Sequence, residues 1–344
     1  MKLKSKNSLI NNKQLKAPFL MTLAVTLSLS VAFTHVLWKI LLLPLNKYRP
    51  NLYNRIEGII YHCALSLVAL WSWTGGYDVV ELGDDIAPAR KKNVRTMIIA
   101  NHQSTADVPL IMASFNVKPN ILPNLMWIME RLFKYTTFGI VGFLHQDFFI
   151  SAGKQDRDLS IQNLKEHIKK AFIPLGRNWM VVFPEGGFLH KRKEVSQRYA
   201  QKNNLPIMNH VSLPRTGAFN AILSVLPPHD SSPQQQDTNE ESAYKGQHHL
   251  DYILDITIAY PDGKPLDLLT IVNFLRSPCK THFLYRLYHT SKLPKTEEGL
   301  TNWLYERWQE KEIILEDFYK TNTFSLAVAT PPTIVEQNPL RFLA

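Results

Sequence analysis

Apolar residues are concentrated in two long stretches near the N-terminus of the chain. The first covers residues 19–38, contains His35 as its only ionisable side chain, and continues through 41–43 to Pro44. About 20 apolar residues in a helix span the hydrocarbon core of a bilayer, so this stretch predicts a membrane helix. A signal peptide has a shorter apolar core and a small-residue cleavage site, so we expect a retained anchor.

A second apolar stretch, residues 59–77, is shorter and more mixed, and it fits a second membrane element or a buried core helix equally well. The positive-inside rule gives no orientation, because the first stretch has basic residues on both sides. A hairpin in one leaflet, or two full spans, would keep residue 78 onward on the cytosolic side. We therefore predict that residues 1–77 form a membrane anchor region. The flanking basic residues are Lys2, Lys4, Lys6, Lys13 and Lys16 before it, and Lys39, Lys47, Arg49 and Arg55 after it.

From residue 94 onward, short apolar runs alternate with longer amphipathic ones. This order predicts a mixed α/β domain over 78–290, with a mostly buried sheet flanked by helices, followed by a helical region over 291–320. Residues 227–249 are rich in Pro, Gln, Ser and acidic side chains, which is typical of a disordered insertion. Residues 321–344 lack a pattern and are predicted to be an unstructured tail. The predicted strands are 94–100, 178–183, 205–213 and 253–259, and the predicted helices are 107–115, 156–172, 217–226 and 297–319.

The charge of the chain is +10, from 39 basic and 29 acidic residues. A basic protein favours anionic partners, which are nucleic acids, acidic lipid surfaces or phosphorylated substrates. The sequence has neither a nucleic-acid-binding signature nor a cluster of zinc ligands, so we expect no nucleic-acid partner. Its two cysteines, Cys63 and Cys279, are too far apart to indicate a disulfide framework or a metal site.

The first candidate for chemistry lies in residues 101–107, directly after a predicted strand. His102 and Asp107 are five residues apart, so the carboxylate can hold one imidazole nitrogen while the other takes a proton from an alcohol. The alternative is a helix-capping acid beside a surface histidine.

Two further candidates also follow predicted strands. Glu185 and Gly186 lie in a turn whose glycines let backbone N–H groups approach a phosphate, or else form only a tight turn. Arg215 stands at a predicted helix start, where a guanidinium suits a phosphate or a structural salt bridge. The basic run at 191–193 is either a solvated helix face or a surface for head groups and CoA phosphates.

Taken together, these blocks resemble the glycerolipid acyltransferase family. That family has an Asn-His-x4-Asp block, a Phe-Ile block, a Phe-Pro-Glu-Gly block and a Pro-containing block. Here they stand at 101–107, 148–150, 183–186 and 213–215. The stretches 133–150, 181–206, 255–267 and 303–312 are most similar to its acyl-CoA:lysophosphatidylglycerol acyltransferase branch.

The resemblance implies an acyl-CoA-dependent O-acyltransferase of the endoplasmic reticulum membrane, with its active site facing the cytosol. His102 would be the catalytic base, Asp107 its orienting carboxylate, Glu185 and Gly186 acceptor-binding residues, and Arg215 a phosphate contact. It implies no metal, no cofactor and no covalent acyl-enzyme, with acyl-CoA as co-substrate. The acceptor would be a lysophospholipid of the phosphatidylglycerol or phosphatidylethanolamine type.

The sequence departs from the family pattern in two places. Many relatives have Arg soon after the Phe-Ile block, where this chain has Ser151 and Ala152, so Lys154 or Arg157 would have to supply that charge. Relatives of this branch also tend to carry a C-terminal apolar segment, which we expect to be absent or lost here. Two other hypotheses stay open, a CoA-independent transacylase and a non-catalytic lipid-binding protein, and the oligomeric state is not predicted.

Overall fold

The structure is a computed structural model that describes residues 2–151, 153, 156–229, 248–325 and 328–338. Its helices are α1 (Lys2–Leu41), α2 (Leu43–Tyr48), α3 (Pro50–Thr74), α4 (Asp107–Asn116), α5 (Thr137–Leu144), α6 (Arg157–His167), α7 (Leu189–Lys202), α8 (Thr216–Val225), α9 (Leu268–Asn273) and α10 (Glu297–Thr321). Its strands are β1 (Tyr77–Gly83), β2 (Thr96–Ala100), β3 (Leu125–Glu130), β4 (Phe148–Ile150), β5 (Trp179–Val182), β6 (Tyr252–Ala259), β7 (Cys279–His289) and β8 (Thr330–Ile334).

The strands form one sheet in the order β4-β3-β5-β2-β6-β7-β1-β8. From β4 to β6 all neighbours are parallel, whereas β7 is antiparallel to β6 and β8 is antiparallel to β1. Parallel strands need cover on both faces, and helices supply it here. The predicted mixed α/β fold, with a mostly buried sheet between helices, is therefore confirmed.

The central strand β2 shows how the two faces are filled, because all five of its residues are buried. Successive side chains of a strand point to opposite faces. Ile98 and Ala100 enter the core that includes residues of α3 and α4, whereas Met97 and Ile99 enter the core that includes residues of α6, α8 and α10. The continuous apolar run in this part of the sequence is thus explained by burial on both faces.

The N-terminal region consists of α1, α2 and α3. Residues Met21–Leu41 of α1 and the whole of α3 are long and apolar enough to cross a membrane. Within Met21–Leu41, large apolar side chains such as Leu29 and Phe33 are exposed. By contrast, 10 of the 25 residues of α3 are buried, and α3 packs on α4. The helix that contains the second apolar stretch therefore packs as a core helix does, and its length and composition would also allow it to cross a membrane.

The predicted strand at 205–213 is wrong, because these residues are irregular. Three consecutive backbone N–H groups, at residues 209–211, donate to the Glu312 carboxylate at 2.6–3.1 Å. The next one, of Ser212, donates to Glu185. Side-chain carboxylates thus take the donors that a strand ladder would need, and Pro206 has no N–H to offer.

The prediction of an unstructured tail is wrong for Thr330–Ile334, which forms β8 beside β1. Pro331 and Pro332 argued against a strand in the sequence, because proline within a sheet is tolerated mainly on edge strands. Strand β8 is an edge strand. Most of the predicted insertion, residues 230–247, lies outside the described residues. Its flanks, Pro228 and Leu250, meet in a β-bridge.

The remaining predicted elements are confirmed with shifted ends. The helix predicted at 156–172 begins at Arg157, and its last turn, Ile168–Phe172, is π-helical. Not every apolar residue of these helices faces the core, since Leu159 in α6 and Ile313 in α10 are exposed. Strands β1, β3, β4 and β7 were not predicted.

Candidate active site

The site begins where β2, β5 and β6 end, because parallel strands bring their carboxyl ends to one edge of the sheet. The loops after these strands carry His102, Glu185 and Tyr260. Asn101, which directly follows β2, joins two of the strands. Its side-chain amide donates to the carbonyl of Ile258 at 3.0 Å and accepts from the N–H of Ile258 at 2.8 Å. This pairing fixes the point at which the loop leaves the sheet.

His102 and Asp107 meet as their spacing predicts. The imidazole Nδ1 lies 2.8 Å from Asp107 Oδ2, and Asp107 is fully buried. The same oxygen accepts the backbone N–H groups of Gln103 and Ser104 at 2.7 and 3.0 Å. An ionised carboxylate only accepts hydrogen bonds, so in the neutral imidazole the proton lies on Nδ1 and the lone pair on Nε2.

Two phenylalanine rings hold the imidazole in place. The ring of Phe183 stacks on His102 at a centroid distance of 4.0 Å, and that of Phe188 lies at 4.5 Å. The backbone also ties these segments together, since the N–H of Leu189 donates to the carbonyl of His102 at 2.8 Å. His102 therefore has a fixed orientation, with its residue only 9% exposed.

Glu185 lies beneath the loop and is 1% exposed. Its Oε1 accepts the backbone N–H of His102 at 3.1 Å and the indole N–H of Trp308 at 3.4 Å. Its Oε2 accepts the N–H and the hydroxyl of Ser212 at 3.0 and 2.7 Å. Burial raises the pKa of Glu185 to about 7, against these donors, which favour the ionised form.

Gly186 brings the backbone close to Arg215. Its φ of +66° is in the left-handed region, and a Cβ there would lie 3.1 Å from Arg215 Cδ. The N–H of Arg215 donates to the carbonyl of Pro184 at 2.8 Å, which fixes the start of α8 against this turn. A side chain at position 186 would therefore displace the guanidinium.

A cluster of guanidinium groups surrounds this turn. Burial and the neighbouring charges of Arg192 and Arg157 lower the pKa of Arg215, with Glu130 as a partly offsetting acid. Such a cluster is suited to phosphate groups. Arg157 belongs to this cluster, whereas Lys154 lies outside the described residues.

His102 and the arginine cluster open into one cavity of about 1160 Å³. One part of its wall is basic and polar. The other part is apolar and comes from α1, α3, α4, α5 and β3. The basic part includes Arg157, Lys191, Arg192 and Arg215, and the apolar part includes Ala24, Leu65, Val68, Met112, Trp127 and Val141.

Comparison with known proteins shows which protein family has a similar sequence. Residues 84–229 match the family model described as "Acyltransferase", and residues 273–343 match "Acyltransferase C-terminus". The chain is 40% identical over 291 residues to acyl-CoA:lysophosphatidylglycerol acyltransferase 1 of Mus musculus, covering 85% of this chain and 78% of that protein. The human protein of the same name is 41% identical, with the same coverage. The chain belongs to the acyltransferase family.

One solved structure also aligns with this acyltransferase. It is the 1-acyl-sn-glycerophosphate (LPA) acyltransferase from Thermotoga maritima, at 14% identity and a TM-score of 0.45, over 92% of this chain and 97% of that one.

Three residues of this acyltransferase site were not predicted from the sequence. Tyr260 donates its hydroxyl to Asp107 Oδ1 at 2.6 Å, and its pKa is raised well above the usual range by burial and by that carboxylate, so it keeps its proton. Ser212 and Trp308 hold Glu185. Tyr260 had a usable signal, since it directly follows a predicted strand at the same sheet edge. Trp308 lies within a predicted helix, and the sequence did not mark it as a partner of Glu185.

Proposed function

We propose that this protein transfers a fatty acyl group from acyl-CoA to the hydroxyl of a lysophospholipid, as part of phospholipid remodelling. The observation that carries the proposal is the His102–Asp107 pair at the wall of a cavity with one basic and one apolar part. An acyl-CoA and a lysophospholipid each combine phosphate groups with a long apolar chain, so both match this division. The names of the two relatives reported above support the same reaction.

In the proposed reaction His102 is the general base. Its Nε2 takes the proton of the acceptor hydroxyl as the hydroxyl oxygen attacks the thioester carbonyl carbon. The tetrahedral intermediate then expels the CoA sulfur, which receives the proton from Nε2. Asp107 stabilises the imidazolium that forms in between, through the 2.8 Å contact with Nδ1. No acyl-enzyme and no cofactor enter this scheme.

The basic part of the cavity would hold phosphates. Arg215 and Arg157 are the proposed phosphate contacts, and the Gly186 turn lets Arg215 lie close to the backbone at the carboxyl end of β5. The apolar part would hold the acyl chain, because burying each CH₂ group contributes about 0.8 kcal/mol.

Glu185 would act through His102 rather than on the acceptor. Both of its oxygens are occupied by donors from the protein, and the side chain lies beneath the loop. It joins the His102 loop to the segment that leads to Arg215. We therefore propose that Glu185 positions the base relative to the phosphate contacts.

We further propose that the enzyme resides in the endoplasmic reticulum membrane with its active site facing the cytosol. The support is the apolar outer surface of α1, which includes Phe19, Val25 and Phe33, and the place of α1 in the wall of the cavity. In this arrangement an acyl chain would pass from the bilayer into the cavity along α1.

The test uses purified full-length protein in mixed micelles with acyl-CoA and a panel of lysophospholipids. CoA release, measured with a thiol reagent, and formation of the diacyl product should rise together, with lysophosphatidylglycerol or lysophosphatidylethanolamine preferred. Omitting acyl-CoA while adding a diacyl donor lipid distinguishes the transacylase alternative. Product formation without acyl-CoA, or the absence of turnover on every lysolipid, would contradict the proposed reaction.

A further inference from the structure

A second group of polar side chains lies at the opposite ends of the central strands from His102. His229, His249 and Asp251 present one ligand atom each, and these atoms lie within 4.8 Å of one another. Asp251 directly precedes β6, and its partner Arg95 precedes β2, so the group lies at the amino ends of strands whose carboxyl ends carry the active site. The acyl transfer proposed above makes no use of it.

The backbone around this group is held by hydrogen bonds to neighbouring strands. The N–H of His229 donates to Thr290 Oγ1 at 3.0 Å, and the N–H of Thr290 donates to the carbonyl of Asp251 at 2.9 Å. The N–H of Leu250 donates to the carbonyl of Pro227 at 3.1 Å. His229 and His249 are thereby brought together although 19 residues separate them in the chain.

The side chains are oriented as metal ligands require. Asp251 Oδ2 accepts the backbone N–H of Arg95 at 2.8 Å, so Oδ1 points to the group, where it lies 3.1 Å from His249 Nε2. The imidazole rings of His229 and His249 also lie side by side, with their centroids 4.3 Å apart. The guanidinium of Arg95 is directed to His248 Nδ1, at 3.5 Å.

We propose that His229, His249 and Asp251 bind a divalent first-row transition metal such as Zn²⁺. Two imidazole nitrogens and one carboxylate oxygen suit Zn²⁺, whereas Mg²⁺ and Ca²⁺ prefer sites built from oxygen. Metal–ligand bonds of about 2.0–2.1 Å place tetrahedral ligand atoms about 3.4 Å apart. The His249–Asp251 distance of 3.1 Å is close to this spacing, and the ligand atom of His229 lies within 4.8 Å of both. A water would be the fourth ligand.

The proposed metal would have a structural role. It would cross-link the two flanks of the segment 230–247, since His229 precedes this segment and His249 follows it. The sequence pattern did not reveal the ligands, because their spacing matches no zinc motif and depends on the bridge between Pro228 and Leu250.

The test is equilibrium dialysis of the full-length protein against Zn²⁺ after treatment with EDTA, with bound zinc counted by mass spectrometry. Variants His229→Ala, His249→Ala and Asp251→Asn are compared with the wild type. His248→Ala is the matched control, because it removes a neighbouring imidazole that is not in the group. The melting temperature in EDTA verifies that each variant is folded.

We expect the wild type and His248→Ala to bind one more tight equivalent of Zn²⁺ than the three ligand variants. Removing a ligand should weaken binding by at least about a hundredfold, since even outer-shell partners contribute 10–100-fold. Zn²⁺ should raise the melting temperature only where that equivalent is bound. Equal zinc content in all five proteins, or its loss in His248→Ala as well, would overturn the proposal.

Discussion

At the scale of single residues, the proposed chemistry depends on how firmly Asp107 is held. Its Oδ2 accepts from His102 and from two backbone N–H groups, and its Oδ1 accepts from Tyr260 at 2.6 Å. Loss of one donor leaves part of a buried charge without a partner, at a cost of about 1–3 kcal/mol. Tyr260 is therefore expected to affect the rate although it is not proposed to touch the substrate.

We predict that Tyr260→Phe lowers kcat about tenfold, with little change in the KM for the lysolipid. The missing hydroxyl loosens the carboxylate that orients the base, but leaves the arginine cluster intact. Steady-state kinetics with acyl-CoA and lysolipid measure kcat and this KM separately. The control is Tyr285→Phe, which removes a buried hydroxyl bonded to Ser114 and Glu81 in the same sheet and should keep kcat. Equal kcat values for the two variants would argue against a positioning role for Tyr260.

The raised pKa of Glu185 predicts that the stability of the folded protein depends on pH. Burial raises its pKa to about 7 in the folded protein, whereas it is about 4.3 in an unfolded chain. Between these values the folded state binds a proton that the unfolded state does not, so the free energy of unfolding falls as pH rises through this window.

We expect Glu185→Gln to lack this dependence, because its amide does not titrate. Melting temperatures of both proteins, measured from pH 5 to pH 8, should show the wild type losing stability relative to the variant as pH rises to about 7. A difference that is constant over this range, or that changes in the opposite direction, would contradict the assigned pKa.

At the scale of elements, a buried polar network joins the N-terminal helices to the domain. Glu57 of α3 lies 2.9 Å from His145 Nδ1, at the end of α5, and 3.5 Å from Lys39 of α1. Tyr61 of α3 stacks on His145 and donates to Asp147 at 2.9 Å. The network connects α1 and α3 to the segment between α5 and β4.

Replacing Glu57 with Gln should destabilise the protein by about 2 kcal/mol, because hydrogen bonds to charged groups contribute about 1.5–3 kcal/mol each. Denaturation of the two proteins in the same detergent measures the change. Glu166→Gln removes a carboxylate from an exposed pair with Lys170 and should cost less than about 0.5 kcal/mol. Similar losses in both variants would show that the network does not join the helices to the domain.

The elements that sequence patterns predicted are those whose own residues decide their structure. Strand β2 and helix α8 have continuous or periodic apolar residues, so local pattern and burial agree. The segment 205–213 has a strand-like composition, but its conformation is set by Glu312, about a hundred residues away. Strand β8 depends on pairing with β1, a partner that no local pattern reveals.

In the site, likewise, the sequence predicted the contact made by residues close in the chain but not the contacts between distant residues. His102 and Asp107 are five residues apart and meet through local geometry, which spacing alone can indicate. The roles of Glu185 and Tyr260 depend on which strands are neighbours in the sheet. Strand order is a property of the whole fold, so the hydrogen bond from Tyr260 to Asp107 could not be predicted from one sequence.

At the scale of the whole molecule, the cavity is completed by the N-terminal helices. Residues of α1, α3 and the α/β domain line the same space, so the membrane region forms part of the proposed substrate site. Ala24 of α1 is nearly buried and lines the apolar part, whereas Leu37 of the same helix is 44% exposed and lies outside the lining.

Ala24→Phe should therefore shorten the acyl chain that the enzyme accepts. A larger ring in the apolar wall takes up space for several CH₂ groups, each contributing about 0.8 kcal/mol. Competition between long-chain and medium-chain acyl-CoA should show a several-fold shift of kcat/KM towards the shorter chain. Leu37→Phe should leave the ratio unchanged, and an unchanged ratio in both variants would place the acyl chain elsewhere.

Turnover by His102→Ala is the most direct test of His102 as the base. General base catalysis contributes about 10²–10⁴-fold, so kcat should fall at least about a hundredfold, without loss of folded protein. His167→Ala is the matched control, because His167 donates to the carbonyl of Gln146 and contacts the Phe148 ring, and it is not among the residues that line the cavity. We predict near wild-type turnover for His167→Ala and almost none for His102→Ala. Retention of more than about a tenth of the activity by His102→Ala would contradict the role of His102 as the base.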